Sequence, residues 1–215
     1  MNKAIVIGGS RGMGKAISSS LSSIGYDVIA TSKKELDTSN LSSVKNFVQT
    51  HNKTDVLVLN TGGPPAKEFF SVTEEEWQQY HNQLFLGFCI LLQKIKINEG
   101  GYVFLITSSV IKEPYPKLVI SSAYRSAFAS VFKILSKSFA EKNISCINIA
   151  PGSINTDRTR ELVDNVEEYQ KSLPMKRLGE PREIGDFVRA IIENKIKYLS
   201  GVVINFDGAA SNYIY

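Results

Sequence analysis

The stretch Ala4-Ile5-Val6-Ile7-Gly8-Gly9-Ser10-Arg11-Gly12-Met13-Gly14 constrains the fold more than any other part of the chain. Four apolar residues, three of them β-branched, predict a short buried strand. A glycine-rich turn follows at once, and Lys15–Ile24 predicts a helix that stops at Gly25. A strand that runs through glycines straight into a helix brings backbone N–H groups to a helix N-terminus, a place suited to a phosphate. The glycines stand at Gly8, Gly12 and Gly14, whereas the G-x-G-x-x-G spacing would need one at Ile17. A tight turn that binds nothing is the plain alternative.

Beyond the loop, short apolar runs alternate with helical patterns. Strands are expected at Asp27–Thr31, Asp55–Asn60, Tyr102–Thr107, Ile144–Ile149 and Val202–Phe206. Helices are expected at Leu41–Gln49, Thr73–Ile97, Ser122–Lys142 and Pro181–Asn194, with Thr73 and Glu76 spaced as a capping box and Pro181 in a first turn. Continuous apolar strands alternating with helices predict an α/β fold, a parallel sheet covered on both faces. At 215 residues the chain suits one domain, 1–215, with no repeat or linker. Residues 153–176 are polar and irregular, and Asp157–Leu173 is expected to form a lid over the carboxyl ends of the strands.

Further motifs sharpen this outline. Asn60-Thr61-Gly62-Gly63 follows one predicted strand, Pro151-Gly152-Ser153-Ile154-Asn155-Thr156 follows another, and Ser200-Gly201 and Asp207-Gly208 flank the last. Together with the glycine loop, these resemble the signals of the short-chain dehydrogenase/reductase superfamily, in order and over nearly the whole length. The resemblance implies a doubly wound Rossmann domain and a nicotinamide dinucleotide. It also implies cofactor contacts from Gly8, Ser10, Arg11, Gly12, Met13, Gly14, Asn60, Thr61, Gly62, Thr107, Pro151, Gly152, Ile154 and Thr156. Two departures stand out: Ile7 replaces the family's threonine, and Asn-Thr-Gly-Gly replaces its Asn-Asn-Ala-Gly.

NAD enzymes place a carboxylate at the end of the second strand. Here Ser32 and Lys33 stand there, with Arg11 in the loop, so NADP(H) is preferred and NAD(H) is the alternative. Glu35 counts against that preference. Asp37-Thr38 resembles the family's adenine-contacting pair after its third strand. Only Lys33–Leu36 separate it from the second strand, too few for a crossover of ten to twelve residues. The domain is therefore expected to be shortened between its second and third strands.

The catalytic positions depart furthest. No tyrosine in the chain has a lysine four residues later. The helix start Ile120-Ser121-Ser122-Ala123-Tyr124-Arg125 puts Ser121 in the tyrosine's place and Arg125 in the lysine's; thirteen residues before Ser121 is Ser108, with Ser109 next to it. The family's helix asparagine falls on Leu84, three before Gly87. Pro64-Pro65 and the Ser-x-x-x-Arg pair resemble an atypical branch of the superfamily. Arginine keeps its proton, so it can hold an alkoxide, a carboxylate or a phosphate but cannot relay a proton. Three readings follow: Tyr124 as a substitute acid, Arg125 with Ser108 as an oxyanion site fed by water, or a centre that no longer catalyses.

Charge and composition exclude other classes. The 25 basic and 21 acidic residues are interspersed, giving no support for nucleic-acid binding. The apolar run Leu84–Leu92 is too short to span a bilayer. His51 and His81 stand apart, so no metal is expected, and Cys89 and Cys146 read as reduced buried thiols. The expectation is a cytoplasmic oxidoreductase moving a hydride between NADP(H) and a small carbonyl or alcohol, a homodimer or homotetramer through helices 73–97 and 122–142. The rivals are a non-catalytic NADP(H) sensor and a partner subunit of an active homologue.

Overall fold

The computed structural model describes residues 1–214. In chain order it contains β1 (Lys3–Val6), α1 (Gly12–Ser23), β2 (Asp27–Ala30), α2 (Leu41–Thr50), β3 (Lys53–Leu59), α3 (Glu74–His81) and α4 (Gly87–Lys94). Then come β4 (Lys96–Ile106), α5 (Val119–Ala140), β5 (Ser145–Pro151), α6 (Asp157–Leu162), α7 (Val166–Ser172), α8 (Pro181–Glu193) and β6 (Val202–Phe206). The six strands form one sheet, all parallel, in the order β2-β1-β3-β4-β5-β6. The predicted α/β fold with a doubly wound parallel sheet is what the chain adopts.

Period-two alternation divides the strand side chains between two cores. Ile5, Leu57, Val103 and Cys146 face the side covered by α2, α4 and α5. Ala4, Val6, Val56, Phe104 and Ile147 face the side covered by α1 and α8. Gly185 of α8 lets the two helices on that side approach closely, since a Cβ there would lie 2.7 Å from the Ala16 carbonyl oxygen.

Three boundaries correct the sequence reading. Thr73–Ile97 is not one helix. Its start is capped as expected, with Thr73 Oγ1 accepting from the Glu76 amide and the Glu76 carboxylate accepting from the Thr73 amide. It widens into a π-helical turn at Asn82–Leu86 and ends at Lys94. Ile97 belongs to β4, where it pairs with Thr54; burial against the sheet outweighs the helical run before it. The Ser122–Lys142 helix instead runs from Val119 to Ala140, which puts Ser121 and Arg125 one turn apart on one helix. Between β2 and α2, finally, no strand follows Ser32, so the shortening removes a strand as well as a helix and leaves β2 at the sheet edge.

Candidate active site

The strand order reverses at β1, which pairs with β2 on one side and β3 on the other. Ligand crevices form outside the carboxyl ends of strands at such a point. The glycine loop leaves β1 here, and Asn60-Thr61-Gly62 leaves β3. Gly8 has φ +61, donates its N–H to Thr31 Oγ1 at 3.2 Å, and accepts from Asn60 Nδ2 at 3.1 Å. A Cβ on Gly14 would lie 2.1 Å from the Gly8 carbonyl oxygen, so the first turn of α1 rests directly on the loop. No side chain caps α1 and no acid stands in its first turn. Its amide donors therefore face the crevice without a protein acceptor from a side chain, while Ser10 and Arg11 are exposed beside it.

The segment after β5 crosses in front of this helix end. Thr156 lies against Gly12, which is left-handed at φ +52. Ile154 is buried and bridges Gly179, and Gly152 packs tightly on Asp207. Behind the crevice, Thr107 Oγ1 donates to Asn148 Oδ1 at 2.6 Å. Thr38 Oγ1 sits 3.4 Å from Thr61 Oγ1, held there because Gly87 of α4 allows the Thr38 carbonyl to come close. The Asp37 carboxylate accepts from the Ser39 hydroxyl and amide and pairs with Lys33 at 3.5 Å. Burial works to raise its pKa, but these partners outweigh it and hold the group below the usual range.

At the end of β2 the structure adds an unexpected occupant. One Glu35 carboxylate oxygen accepts from the Ser32 amide at 2.8 Å and from the Ser32 hydroxyl. Those hydrogen bonds keep Glu35 below the ordinary carboxylate range. The Ser32 donors assigned to a ribose phosphate are thus taken by an acid of the chain itself.

The opposite wall carries the altered catalytic positions. Arg125 is buried. Its Nε donates to Ser121 Oγ at 3.1 Å, Nη1 to the carbonyls of Ile106 at 3.0 Å and Thr107 at 3.4 Å, and Nη2 to the Thr61 carbonyl at 3.4 Å. The arginine therefore ties α5 to the ends of β4 and β3, a physical link between the Ser-x-x-x-Arg pair and the Asn-Thr-Gly-Gly segment. Burial, with the nearby Arg158 charge, pulls its pKa down to about 10. Ser108 follows Thr107 and caps the next short turn, its Oγ accepting from the Val110 amide at 3.4 Å; Ser109 lies within that turn. Tyr124 points elsewhere: its hydroxyl donates to the Trp77 carbonyl at 3.2 Å, and its ring packs on Trp77 and His81. Burial raises its pKa, the opposite of what a neutral-pH acid requires.

Two residues escaped the sequence reading. Leu84, the position counted for the helix asparagine, is buried in the core. Its neighbour Gln83 donates to the Gly62 carbonyl at 2.8 Å and to Thr61 Oγ1 at 3.3 Å. The π turn adds a residue to the helix, so counting back from Gly87 slips by one. Arg158 of α6 reaches across to the Pro64 carbonyl and lies over Gly63. Only its place as the last polar residue before the apolar run from Leu84 could have signalled Gln83; nothing local signals Arg158.

Fold and crevice together define a dinucleotide-binding α/β enzyme. A profile of the family described as enoyl-(acyl carrier protein) reductase matches residues 35–210. The chain belongs to that family, within the short-chain dehydrogenase/reductase superfamily of NAD(P)-dependent oxidoreductases. It is 29% identical over 191 residues to a 3-oxoacyl-(acyl-carrier-protein) reductase of Chlamydia trachomatis, covering 86% of this chain and 75% of the relative. It is 27% identical over 240 residues to the enzyme of that name from Staphylococcus epidermidis, covering 97% and 98%. The fold matches a blue fluorescent protein from a metagenomic library, solved with NADPH, at TM-score 0.88, with 21% identity and 98% of each chain covered. It also matches a short-chain dehydrogenase from Burkholderia cenocepacia, solved with NADP, at TM-score 0.88, with 20% identity and 97% of each chain covered.

Proposed function

We propose that the chain reduces a small carbonyl compound with NADPH through a centre built on Arg125 and Ser108 in place of the family's tyrosine and lysine. The observation that carries this reading is the Arg125 guanidinium, held by three backbone carbonyls and Ser121 at the end of β4, beside the crevice. Related reductases and NADP-bound fold neighbours support the same chemistry.

The crevice fits the cofactor's pyrophosphate because α1 begins without a side-chain cap. Gly8, Ser10, Arg11, Gly12, Met13 and Gly14 would hold the phosphates, Asp37, Thr38, Asn60, Thr61 and Gly62 the adenosine side, and Thr107, Pro151, Gly152, Ile154 and Thr156 the nicotinamide side. Arg11, Ser32 and Lys33 would receive a ribose 2′-phosphate once Glu35 swings aside. When bound, the nicotinamide supplies the hydride that reaches the carbonyl carbon. Arg125 stabilises the negative charge developing on the carbonyl oxygen, and Ser108 and Ser121 orient that oxygen. Water supplies the proton, since serine is too weak an acid and arginine stays charged.

We also propose that residues 153–176 act as a lid and that the chain is a homodimer or homotetramer through α3, α4 and α5. Exposed Ile134 on α5 and Phe69 and Phe70 ahead of α3 support the pairing. Two unpaired cysteines suit the reducing cytoplasm. No helix is long and apolar enough to cross a membrane among the described residues.

The engagement of Tyr124 with Trp77 favours one rival, a non-catalytic cofactor sensor. Calorimetry with NADPH and NADH, followed by a carbonyl panel monitored at the NADPH absorbance, decides between them. The proposal expects NADPH binding and turnover that Arg125→Ala reduces by at least about a hundredfold, the lower range for a lost transition-state donor. Binding without turnover supports the sensor, and no binding of either dinucleotide at millimolar concentration refutes both.

A further inference from the structure

Arg125 carries five N–H donors. Four acceptors meet them: Ser121 Oγ and the carbonyls of Ile106, Thr107 and Thr61. One N–H on Nη2 is left over. No carboxylate forms an ion pair with Arg125 among the described residues. A buried charge without a counter-ion is expensive unless something supplies one. Three residues along from Thr61, the Pro64 carbonyl accepts from a second guanidinium, that of Arg158. Among the described residues Arg158 has one acidic partner, Glu161, at 3.2 Å on the same short helix. Glu161 is exposed and Arg158 partly so, and such pairs contribute little and exchange readily.

Between the two arginines runs Gly62-Gly63. A Cβ on Gly62 would meet nothing within 4 Å, so the space above it is open. One on Gly63 would meet the Arg158 guanidinium at 3.5 Å. The segment from Thr61 to Pro64 therefore carries two positive groups, one on the carbonyl at each end. Their nearness registers as mutual repulsion that helps lower the pKa of Arg125.

We propose that the substrate is an anion, a small oxo acid whose carboxylate is held beside Gly63 by Arg158 while its carbonyl oxygen faces Arg125. This rests on the reduction proposed above and narrows its substrate class.

Calorimetry on the full chain saturated with NADP⁺, which has no hydride to give, compares acetoacetate with its neutral methyl ester. The acid is expected to bind at least about tenfold more tightly, the ratio one charge-assisted hydrogen bond supports. Arg158→Gln is expected to erase the preference and Arg158→Lys to keep part of it, with NADP⁺ affinity unchanged in both. Equal affinity for acid and ester, no binding of the acid, or an undiminished preference in Arg158→Gln overturns the proposal. If the chain does not take NADP⁺, the reductase reading falls, and the same titration on the cofactor-free chain still decides the anion site. Acid that binds only without NADP⁺ and is displaced by it shows that the arginines serve the cofactor's phosphates, which also overturns the proposal.

Discussion

Replacing Arg125 with methionine sets two large effects against each other. Methionine keeps much of the volume and removes the charge. The fall of the arginine pKa to about 10 corresponds to roughly 3 kcal/mol of charge burial that the variant no longer bears. Against this, two well-formed hydrogen bonds disappear, Nε to Ser121 Oγ at 3.1 Å and Nη1 to the Ile106 carbonyl at 3.0 Å. Each is charge-assisted, worth about 1.5–3 kcal/mol, and the two contacts at 3.4 Å add little. The bonds total about 3–6 kcal/mol against that roughly 3, leaving about 0–3, and the middle of that range makes Arg125→Met less stable by about 1.5 kcal/mol. Urea unfolding with a shared m-value measures this. The pH dependence supplies a second check. A buried cation with a depressed pKa opposes folding while charged, and the opposition fades as pH rises through about 10. The margin of the native chain over Arg125→Met should therefore widen above that pH. A variant more stable than the native chain would show that charge burial exceeds the hydrogen bonds, and the account of Arg125 as a well-held group would fail.

Three further outcomes are expected. Gly14→Ala, whose Cβ would lie 2.1 Å from the Gly8 carbonyl oxygen, should lower stability by about 3 kcal/mol or more and abolish NADPH binding, as read by urea midpoint and calorimetry. Glu35→Gln, which removes a carboxylate from the Ser32 donors, should raise the ratio of NADPH to NADH affinity; an unchanged or lower ratio would contradict that role. Glu183, held at a pKa of about 2 by Arg177 and the Glu180 amide, contributes stability above the ordinary glutamate pKa and loses it as pH falls through about 2. Glu183→Gln should therefore melt slightly lower at pH 7, by less than about 1 kcal/mol because the pair is exposed, and match the native chain near pH 2.

Local sequence determined the strand cores, the glycine turn after β1, the capping box at Thr73 and the loss of the usual crossover after β2. Each depends on residues near in the chain: an apolar run, a left-handed glycine, a cap three residues from its partner, a segment too short to cross. It paired Ser121 with Arg125 by their spacing of four, but began the helix at Ser122; only the start at Val119 puts both on one helix. Tertiary structure decided the rest. Ile97 left its helix because β3 offered a strand to pair with. Gln83 entered the crevice because a π turn rotated the helix face. Tyr124 turned to Trp77, 47 residues away, and Arg158 met Pro64 across 94 residues. Contacts at that separation depend on how the sheet orders its strands, and a pattern read over a few turns holds no record of that order.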